Sequence, residues 1–191
     1  MQKIMIDLDE TICSQTYLEE VNKYMKTDYQ YTDIDTYFVE DIIPPLEREK
    51  FLDYFYEHAN VYDHAYVFPD AIEVIRDLCQ VYDVYIVSAF VDKRRPKESS
   101  IMAKYKYEWI LKHLPFIDPK KIILTGSKQM IMCDIKIDDK VSNLKGYGET
   151  KLLLDHMHNR KYSFEELESL GIKRVHDWRQ IRDILLGSEE V

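Results

Sequence analysis

The amino-acid sequence predicts an α/β fold: a Rossmann-like parallel sheet with helices on both faces and a small helical cap inserted after the first strand. Short apolar runs alternate with helical patterns from residue 66 onwards, which is typical of parallel strands joined by crossover helices. The preceding segment, 14–65, shows helical spacing and no strong strand pattern. We therefore expect a core domain of residues 1–13 and 66–191, and a cap of residues 14–65.

The first predicted strand is the apolar run at residues 4–6, which stops at the acidic stretch D-L-D-E-T of residues 7–11. In the cap, a helix is predicted over residues 16–25. Pro44 and Pro45 are expected to start a second helix, because proline is tolerated in a first helical turn. Residues 46–60 continue it, with Phe51, Leu52 and Phe55 at helical spacing.

The alternating part of the chain begins after the cap. Its predicted strands are residues 84–87, 121–124, 135–139 and 151–154, and its predicted helices are residues 70–80, 98–113, 164–170 and 177–186. With the run at residues 4–6, this makes a sheet of five strands. Right-handed crossovers would place the carboxyl ends of these strands at one edge of the sheet.

Carboxylates follow two of these strands. Asp7 and Asp9 come directly after the first, and Asp138 and Asp139 end the strand that begins at residue 135. Buried carboxylates without compensation would be driven to protonate, and Mg2+ is the usual compensation because it prefers oxygen ligands. Ligands of open parallel sheets bind outside the carboxyl ends of the strands. The four acids therefore predict one Mg2+ site; which of Asp138 and Asp139 contacts the ion directly is left open.

Composition limits the class of partner. The chain has 191 residues, is 46% hydrophobic and carries a net charge of −9, which argues against a nucleic-acid polymer or an anionic membrane as its main partner. The three cysteines are dispersed and lack metal-ligand spacing, which favours a reducing compartment. With no signal-peptide pattern and no apolar run near ~20 residues, we expect a cytoplasmic protein.

The residues at the strand ends match the needs of phosphoryl transfer. Asp7, at the end of the buried strand, can attack phosphorus and form an aspartyl-phosphate. Asp9 can protonate the leaving oxygen and then activate water. Ser88, at the end of the strand predicted at residues 84–87, and a lysine can hold the oxygens of the transferred group.

The ordered segments D-L-D-E-T, I-V-S-A and I-D-D resemble the first, second and fourth motifs of the haloacid dehalogenase (HAD) superfamily of phosphohydrolases. This resemblance covers nearly the whole chain. It implies that Asp7 is the nucleophile and Asp9 the acid/base, that the carbonyl of Asp9 binds Mg2+, and that Asp138 and Asp139 complete the metal site. It also implies phosphate binding at Ser88 and the adjacent Ala89.

The third motif of that superfamily is a single lysine. K-Y-E-W at residues 106–109 is similar to a helix start in the 5'(3')-deoxyribonucleotidase family, and T-G-S-K at residues 125–128 looks like that family's substrate-side loop. The resemblance favours Lys106 as the motif lysine and Lys128 as an auxiliary phosphate ligand. The sequence departs from the mammalian type at Glu10, where a glycine is usual. The competing lysines are Lys104, Lys112, Lys120 and Lys121.

The resemblance implies a small phosphorylated substrate, a nucleoside monophosphate of the deoxyribose series. Aromatic residues in the polar part of the cap could stack a nucleobase, although aromatic residues at helical spacing more often form a core, above all Phe51 and Phe55. The candidate base-pocket residues are Tyr29, Tyr31, Tyr37 and Phe38.

Three other functions compete with a nucleotidase. The first is a HAD phosphatase for another small phosphometabolite. The second is a signalling receiver domain, which uses similar residues but carries its acidic pair first and its phospho-acceptor in mid-chain, the reverse of the order here. The third is a non-catalytic phosphate-binding protein, which the presence of every motif residue disfavours. The oligomeric state, including a homodimer, is left open.

Overall fold

The structure is a computed structural model that describes residues 1–14, 16–34 and 39–187. Two of the predicted base-pocket residues, Tyr37 and Phe38, lie outside the described residues. The strands are β1 (Lys3–Ile6), β2 (Cys13–Ser14), β3 (Tyr66–Val67), β4 (Asp83–Ser88), β5 (Ile122–Leu124), β6 (Ile135–Asp138), β7 (Thr150–Leu154) and β8 (Ile172–Val175). The helices are α1 (Tyr17–Met25), α2 (Pro45–His58), α3 (Ala71–Val81), α4 (Ser99–His113), α5 (Phe164–Ser169) and α6 (Trp178–Leu186).

The main sheet is parallel and has the strand order β5-β4-β1-β6-β7-β8. β1 lies between β4 and β6, and Ile6 is in register with Ile86 of β4 and Ile137 of β6. The backbone N–H of Asp7 donates to the carbonyl of Ile137 at 3.0 Å, which continues the ladder by one residue. The carboxyl ends of the three central strands therefore meet at one edge, and the predicted α/β parallel-sheet fold is confirmed.

β1 is apolar along its buried length because both of its faces are covered. Ile4, Met5 and Ile6 are fully buried. Ile4 and Ile6 belong to the main core, whereas Met5 packs in a separate cluster with Val87 and Cys133. A central parallel strand needs apolar side chains on both faces, which explains why the run lacks the alternation of a half-buried strand.

The segment between β1 and α3 carries α1 and α2, as predicted, and α2 begins at Pro45. Phe51 and Phe55 are buried in the main core, and both rings contact Tyr17. A short antiparallel pair, β2 with β3, closes the segment: Cys13 pairs with Val67, and Ser14 with Tyr66. These two-residue strands are too short to give a periodicity signal in the sequence. The cap boundaries at 13/14 and 65/66 stay a prediction.

The sheet has a sixth strand that the sequence analysis did not predict. β8 reads I-K-R-V and is the edge strand next to β7, with Lys173 exposed between the buried Ile172 and Val175. Its apolar content is low because an edge strand needs to bury fewer side chains. Within residues 1–14, 16–34 and 39–187, no helix combines the length and apolar character that crossing a membrane requires.

Candidate active site

Three carboxylates meet at the carboxyl edge of the sheet. Asp7 directly follows β1, Asp138 ends β6, and Asp139 is the next residue. One carboxylate oxygen from each lies within 4.8 Å of those of the other two, and all three residues are buried. Burial raises the pKa of Asp7 to about 7, and it raises the pKa of Asp138 to about 6. The raised pKa values indicate that these buried carboxylates lack enough compensating positive charge. A divalent cation such as Mg2+, which prefers oxygen ligands, would supply it.

Lys128 lies between two of these acids. It sits in the 3₁₀ turn Lys128–Met130 that follows β5 and is 3% exposed. Its Nζ contacts Oδ1 of Asp7 and lies 3.1 Å from Oδ2 of Asp138. Burial opposes the charge on Lys128, yet the two carboxylates hold its pKa above the usual range. The lysine therefore stays cationic and offsets part of the negative charge of the acidic cluster.

Asp9 has different partners. Its Oδ2 contacts Nζ of Lys106 and accepts a hydrogen bond from Oγ of Ser88 at 3.3 Å, while its Oδ1 accepts one from the hydroxyl of Tyr62. Burial alone would raise the pKa of Asp9, but Lys106 and these hydrogen bonds outweigh it and hold the pKa below the ordinary value. In this arrangement Asp9 is an anion held on both oxygens.

Lys106 joins Asp9 to the predicted phosphate-binding residues. It is 4% exposed on α4, and its Nζ donates to Oγ of Ser88 at 2.9 Å and to the carbonyl of Ala89. The structure thus brings both predicted lysines into the site but gives them different places. Lys128, ranked as the auxiliary, contacts the predicted nucleophile Asp7; Lys106, ranked as the motif lysine, contacts Asp9 and Ser88.

Asp138 and Asp139 are also held differently. Asp138 accepts hydrogen bonds from Nδ2 of Asn143 at 3.0 and 3.2 Å, from the backbone N–H of Lys140 at 2.9 Å, and from Lys128. Asp139 meets Nε2 of His158 through Oδ2 at 2.9 Å. Both oxygens of Asp138 are therefore engaged by protein donors, a difference that the sequence could not reveal for two adjacent aspartates.

The described members of the predicted base pocket lie on the segment that follows α1. Tyr29 and Tyr31 are each 40% exposed. Tyr29 is held through its backbone, whose N–H donates to and whose carbonyl accepts from the side chain of Asn22. Burial raises the pKa of Tyr31 to about 12, and Glu10 contributes to the shift. Tyr31 thus lies near the residue that follows Asp9.

The structure shows the backbone conformation of Glu10 and the environment of Cys13, two residues close to Asp9. Glu10 has a φ of +53°, a left-handed conformation that glycine adopts without steric cost. The glycine expected here from the resemblance to the mammalian type would suit this backbone. Its carboxylate accepts a hydrogen bond from Ser14 at 3.1 Å. Cys13 is buried beside the site, and burial raises the pKa of its thiol far above the usual range, which makes it a poor nucleophile.

The sequence analysis missed several residues that contact the predicted catalytic and metal-binding acids. Tyr62 follows α2 and is 53 residues from Asp9, and His158 and Asn159 lie in the turn after β7. No local spacing signals such contacts, because the fold alone brings these segments together. Asn143 alone had a sequence clue, since it lies five residues after Asp138 on the same strand–loop unit.

Comparison with known proteins gives a consistent picture. The chain is 26% identical over 192 residues to a Staphylococcus epidermidis protein named as a candidate 5'(3')-deoxyribonucleotidase, covering 99% of this chain and 98% of the relative. It is 34% identical over 113 residues to the 5'(3')-deoxyribonucleotidase of Bacillus subtilis, covering 59% of this chain and 58% of that protein.

Among solved structures, the fold resembles a candidate haloacid dehalogenase-like hydrolase from Burkholderia xenovorans, with a TM-score of 0.53 at 12% identity and 96% coverage of both chains. A likeness at that identity supports the fold alone. The sequence model of one family matches residues 1–190, almost the entire chain. This protein therefore belongs to the family described as 5' nucleotidase, deoxy (pyrimidine), cytosolic type C protein (NT5C).

Proposed function

We propose that the protein is a Mg2+-dependent phosphomonoesterase that dephosphorylates nucleoside monophosphates, with deoxyribonucleotides as the preferred class. The observation that carries this proposal is the meeting of Asp7, Asp138, Asp139 and Lys128 at the carboxyl edge of the sheet. Membership of the nucleotidase family and the names of its relatives support the substrate class.

Asp7 is the proposed nucleophile. Its carboxylate would attack phosphorus, the bond from phosphorus to the ester oxygen would break, and an aspartyl-phosphate would form on Asp7. Lys128, in contact with Oδ1 of Asp7, would lower the pKa of that carboxyl against the larger effect of burial and neutralise the charge that arrives with the phosphoryl group. Its position favours Lys128 over Lys106 as the lysine that serves the nucleophile.

Asp9 is the proposed general acid and base. It would give a proton to the leaving alkoxide, and then remove a proton from the water that attacks the aspartyl-phosphate and restores Asp7. In the structure Lys106 and Tyr62 hold Asp9 as an anion. Phosphoryl oxygens bound at Ser88 and Ala89 would compete for Lys106, and its departure would raise the pKa of Asp9 toward the value needed for proton donation.

The divalent cation would be held by Asp7, the backbone carbonyl of Asp9, and the pair Asp138 and Asp139. When bound, Mg2+ would offset the charge of the phosphoryl oxygens and of the acidic cluster. Asp139 is the better candidate for direct contact, since both oxygens of Asp138 already accept hydrogen bonds from Asn143, Lys140 and Lys128.

Residues 14–65 are the proposed cap. Their helices, α1 and α2, lie beyond the β2/β3 pair, and Tyr62 on the same segment reaches Asp9, so the cap would close over the substrate and exclude bulk water. Tyr31, near Glu10, is the described residue best placed to meet a nucleoside. The cytoplasmic location stays a prediction, and the oligomeric state stays open.

The test is phosphate release from a panel of ribo- and deoxyribonucleoside monophosphates and sugar phosphates, with Mg2+ and with EDTA. We expect Mg2+-dependent release that favours deoxyribonucleotides and is abolished in Asp7→Asn. Asp118→Asn is the matched control, because Asp118 precedes β5 and thus lies at the amino edge of the sheet. Phosphate release from sugar phosphates alone would overturn the proposed nucleotide substrate and leave the phosphomonoesterase activity standing. Release that does not depend on Mg2+ would overturn the proposed metal requirement.

A further inference from the structure

The turn after β7 reaches back to the acidic cluster. His158 lies in the 3₁₀ turn Met157–Asn159, and its Nε2 is 2.9 Å from Oδ2 of Asp139 and 3.1 Å from the backbone carbonyl of the same residue. Both of these partners can only accept hydrogen bonds while the carboxyl is ionised. Nε2 therefore carries the hydrogen and donates to Asp139.

Asn159 holds the backbone of the same aspartate. It is 1% exposed, and its Nδ2 donates to the carbonyls of Asp139 at 2.9 Å and Leu154 at 2.7 Å. Its Oδ1 accepts from the backbone N–H of His156 at 3.3 Å and from Nη1 of Arg174. Every hydrogen-bonding direction of this side-chain amide is used, which fixes the orientation of Asn159 and ties β7 to the end of β6.

Arg174 anchors the turn from the edge strand β8. Its Nη2 donates to the carbonyls of Asn159 and Tyr162, each at 3.1 Å, and its Nη1 donates to Oδ1 of Asp155 at 2.8 Å. One guanidinium thus binds both ends of the segment 155–162. A continuous set of hydrogen bonds runs from β8 through Asn159 to Asp139.

We propose that His158 and Asn159 are positioning residues for divalent-ion binding: they fix which carboxylate oxygen Asp139 presents to the cation, and Arg174 fixes the two of them. This inference rests on the metal site of the proposed function. The hydrogen bond from His158 to Oδ2 of Asp139 leaves Oδ1 as the oxygen available to the cation. The same bond restricts rotation of the carboxylate before the cation binds, so less rotational freedom is lost on cation binding. Outer partners of this kind change metal affinity by about 10- to 100-fold when removed.

The test uses the metal alone, without substrate. Binding of Mn2+ to the full chain is followed by electron paramagnetic resonance of the free ion and by calorimetry. We expect His158→Leu and His158→Asn, which remove the donor at this distance, to weaken Mn2+ binding by about 10-fold or more. His158→Gln keeps a donor of similar reach and should restore most of the affinity.

Two controls separate positioning from general damage. His64→Leu changes an exposed histidine and should leave Mn2+ affinity unchanged. Unfolding temperatures of all variants in EDTA report on the fold without metal, and only variants that unfold cooperatively are compared. His158→Asn keeps a polar side chain at this partly exposed position, which provides a second loss variant if His158→Leu does not fold.

The outcomes distinguish this inference from the proposed function. Failure of the wild-type protein to bind Mn2+ would overturn the metal site of the proposed function, and the positioning role with it. Tight binding by the wild type together with equal affinity in a folded loss variant would overturn the positioning role while leaving the metal site intact. Reduced affinity in both loss variants, with recovery in His158→Gln, would support it.

Discussion

The hydroxyl of Tyr62 connects the proposed cap, residues 14–65, to Asp9, the proposed acid/base. Tyr62 is buried, and its hydroxyl donates to Oδ1 of Asp9. Tyr62→Phe removes that donor and leaves Oδ1 of Asp9 without this hydrogen bond; hydrogen bonds to charged groups contribute about 1.5–3 kcal/mol. Because this hydrogen bond orients the carboxylate proposed to transfer the proton, kcat should fall about 10-fold, as measured by steady-state phosphate release.

The matched control for that substitution is Tyr56→Phe. Tyr56 also lies on the cap segment, but its hydroxyl donates to Asp92, at 3.4 Å, and not to a predicted catalytic residue. Its kcat should remain close to that of the wild type. Equal kcat values for Tyr62→Phe and the wild type would show that the Tyr62 hydroxyl contributes nothing to catalysis.

Lys106 provides a second prediction for a single residue. Its Nζ contacts Ser88 and the carbonyl of Ala89, the pair predicted to bind the phosphoryl oxygens. Lys106→Met should weaken binding of inorganic phosphate, measured as product inhibition, by about 10-fold or more, since a charged hydrogen bond of about 1.5–3 kcal/mol is lost. Lys104→Met, on the exposed side of the same helix, should leave the inhibition constant unchanged; a similar constant in both variants would exclude Lys106 from the phosphate site.

At the scale of secondary-structure elements, the loop after β4 is joined to the cap segment by ion pairs. Nη2 of Arg94 lies 2.5 Å from Oε1 of Glu40, which is 4% exposed, and Arg95 pairs with Glu49 and Asp53 on α2. The Arg94–Glu40 pair is the one with a buried member. Because β4 ends at Ser88, these contacts link the proposed cap to the strand end that is proposed to bind phosphate.

Arg94→Met should therefore destabilise the protein more than a surface charge change does. It leaves the carboxylate of Glu40 buried without its ion pair, at a cost of about 1–3 kcal/mol. Glu40→Gln in the same chain should recover much of that loss, which a double-mutant cycle in urea unfolding would measure. Lys93→Met on the same loop is the control. Additive effects of the two substitutions would show that Arg94 and Glu40 are not coupled.

The elements also show what a single sequence can and cannot reveal. β1 was predictable because a buried central strand stays apolar until the point where its acids follow. β6 was predictable from Ile135, Ile137 and the acids after them, although Lys136 between the two isoleucines is also fully buried. β8 was not, because an edge strand buries little, and the I-K-R-V segment resembles a loop. The roles proposed for Asp7 and Asp9 rest on their place after β1, whereas the contacts of Tyr62 and His158 depend on long-range packing that leaves no local pattern. The ranking of Lys106 over Lys128 rested on neighbouring residues, and only the fold shows which lysine contacts Asp7.

At the scale of the whole molecule, the site concentrates negative charge in a chain that is already acidic. The net charge is −9, and Asp7, Asp138 and Asp139 are buried together with the compensating Lys128. Three buried carboxylates and one buried lysine leave an excess of negative charge when all are ionised. Repulsion between these carboxylates therefore lowers the free energy of unfolding when no divalent cation is bound. Binding of a cation at the site should raise it.

Stability without metal should fall as pH rises through the acidic range. The pKa values of Asp7, about 7, and Asp138, about 6, lie above the ordinary value of 3.8. Between pH ~4 and ~7 the folded state thus binds more protons than the unfolded chain, and the free energy of unfolding decreases with pH in that window. Mg2+ would bind the deprotonated carboxylates, so its stabilising effect should grow over the same window.

Thermal unfolding at pH 5 and pH 8, each with Mg2+ and with EDTA, measures both effects. At 100 times its Kd a ligand stabilises by about 2.7 kcal/mol, and for a domain of this size that corresponds to a rise in Tm of about 5–11 °C. We expect a rise of that order at pH 8 and a much smaller one at pH 5. Asp138→Asn, which removes one of the two titrating carboxyls, should flatten the pH dependence in EDTA. A Mg2+-induced rise as large at pH 5 as at pH 8 would show that these buried carboxyls do not hold the ion, because protonation of its ligands would then have no effect on its binding.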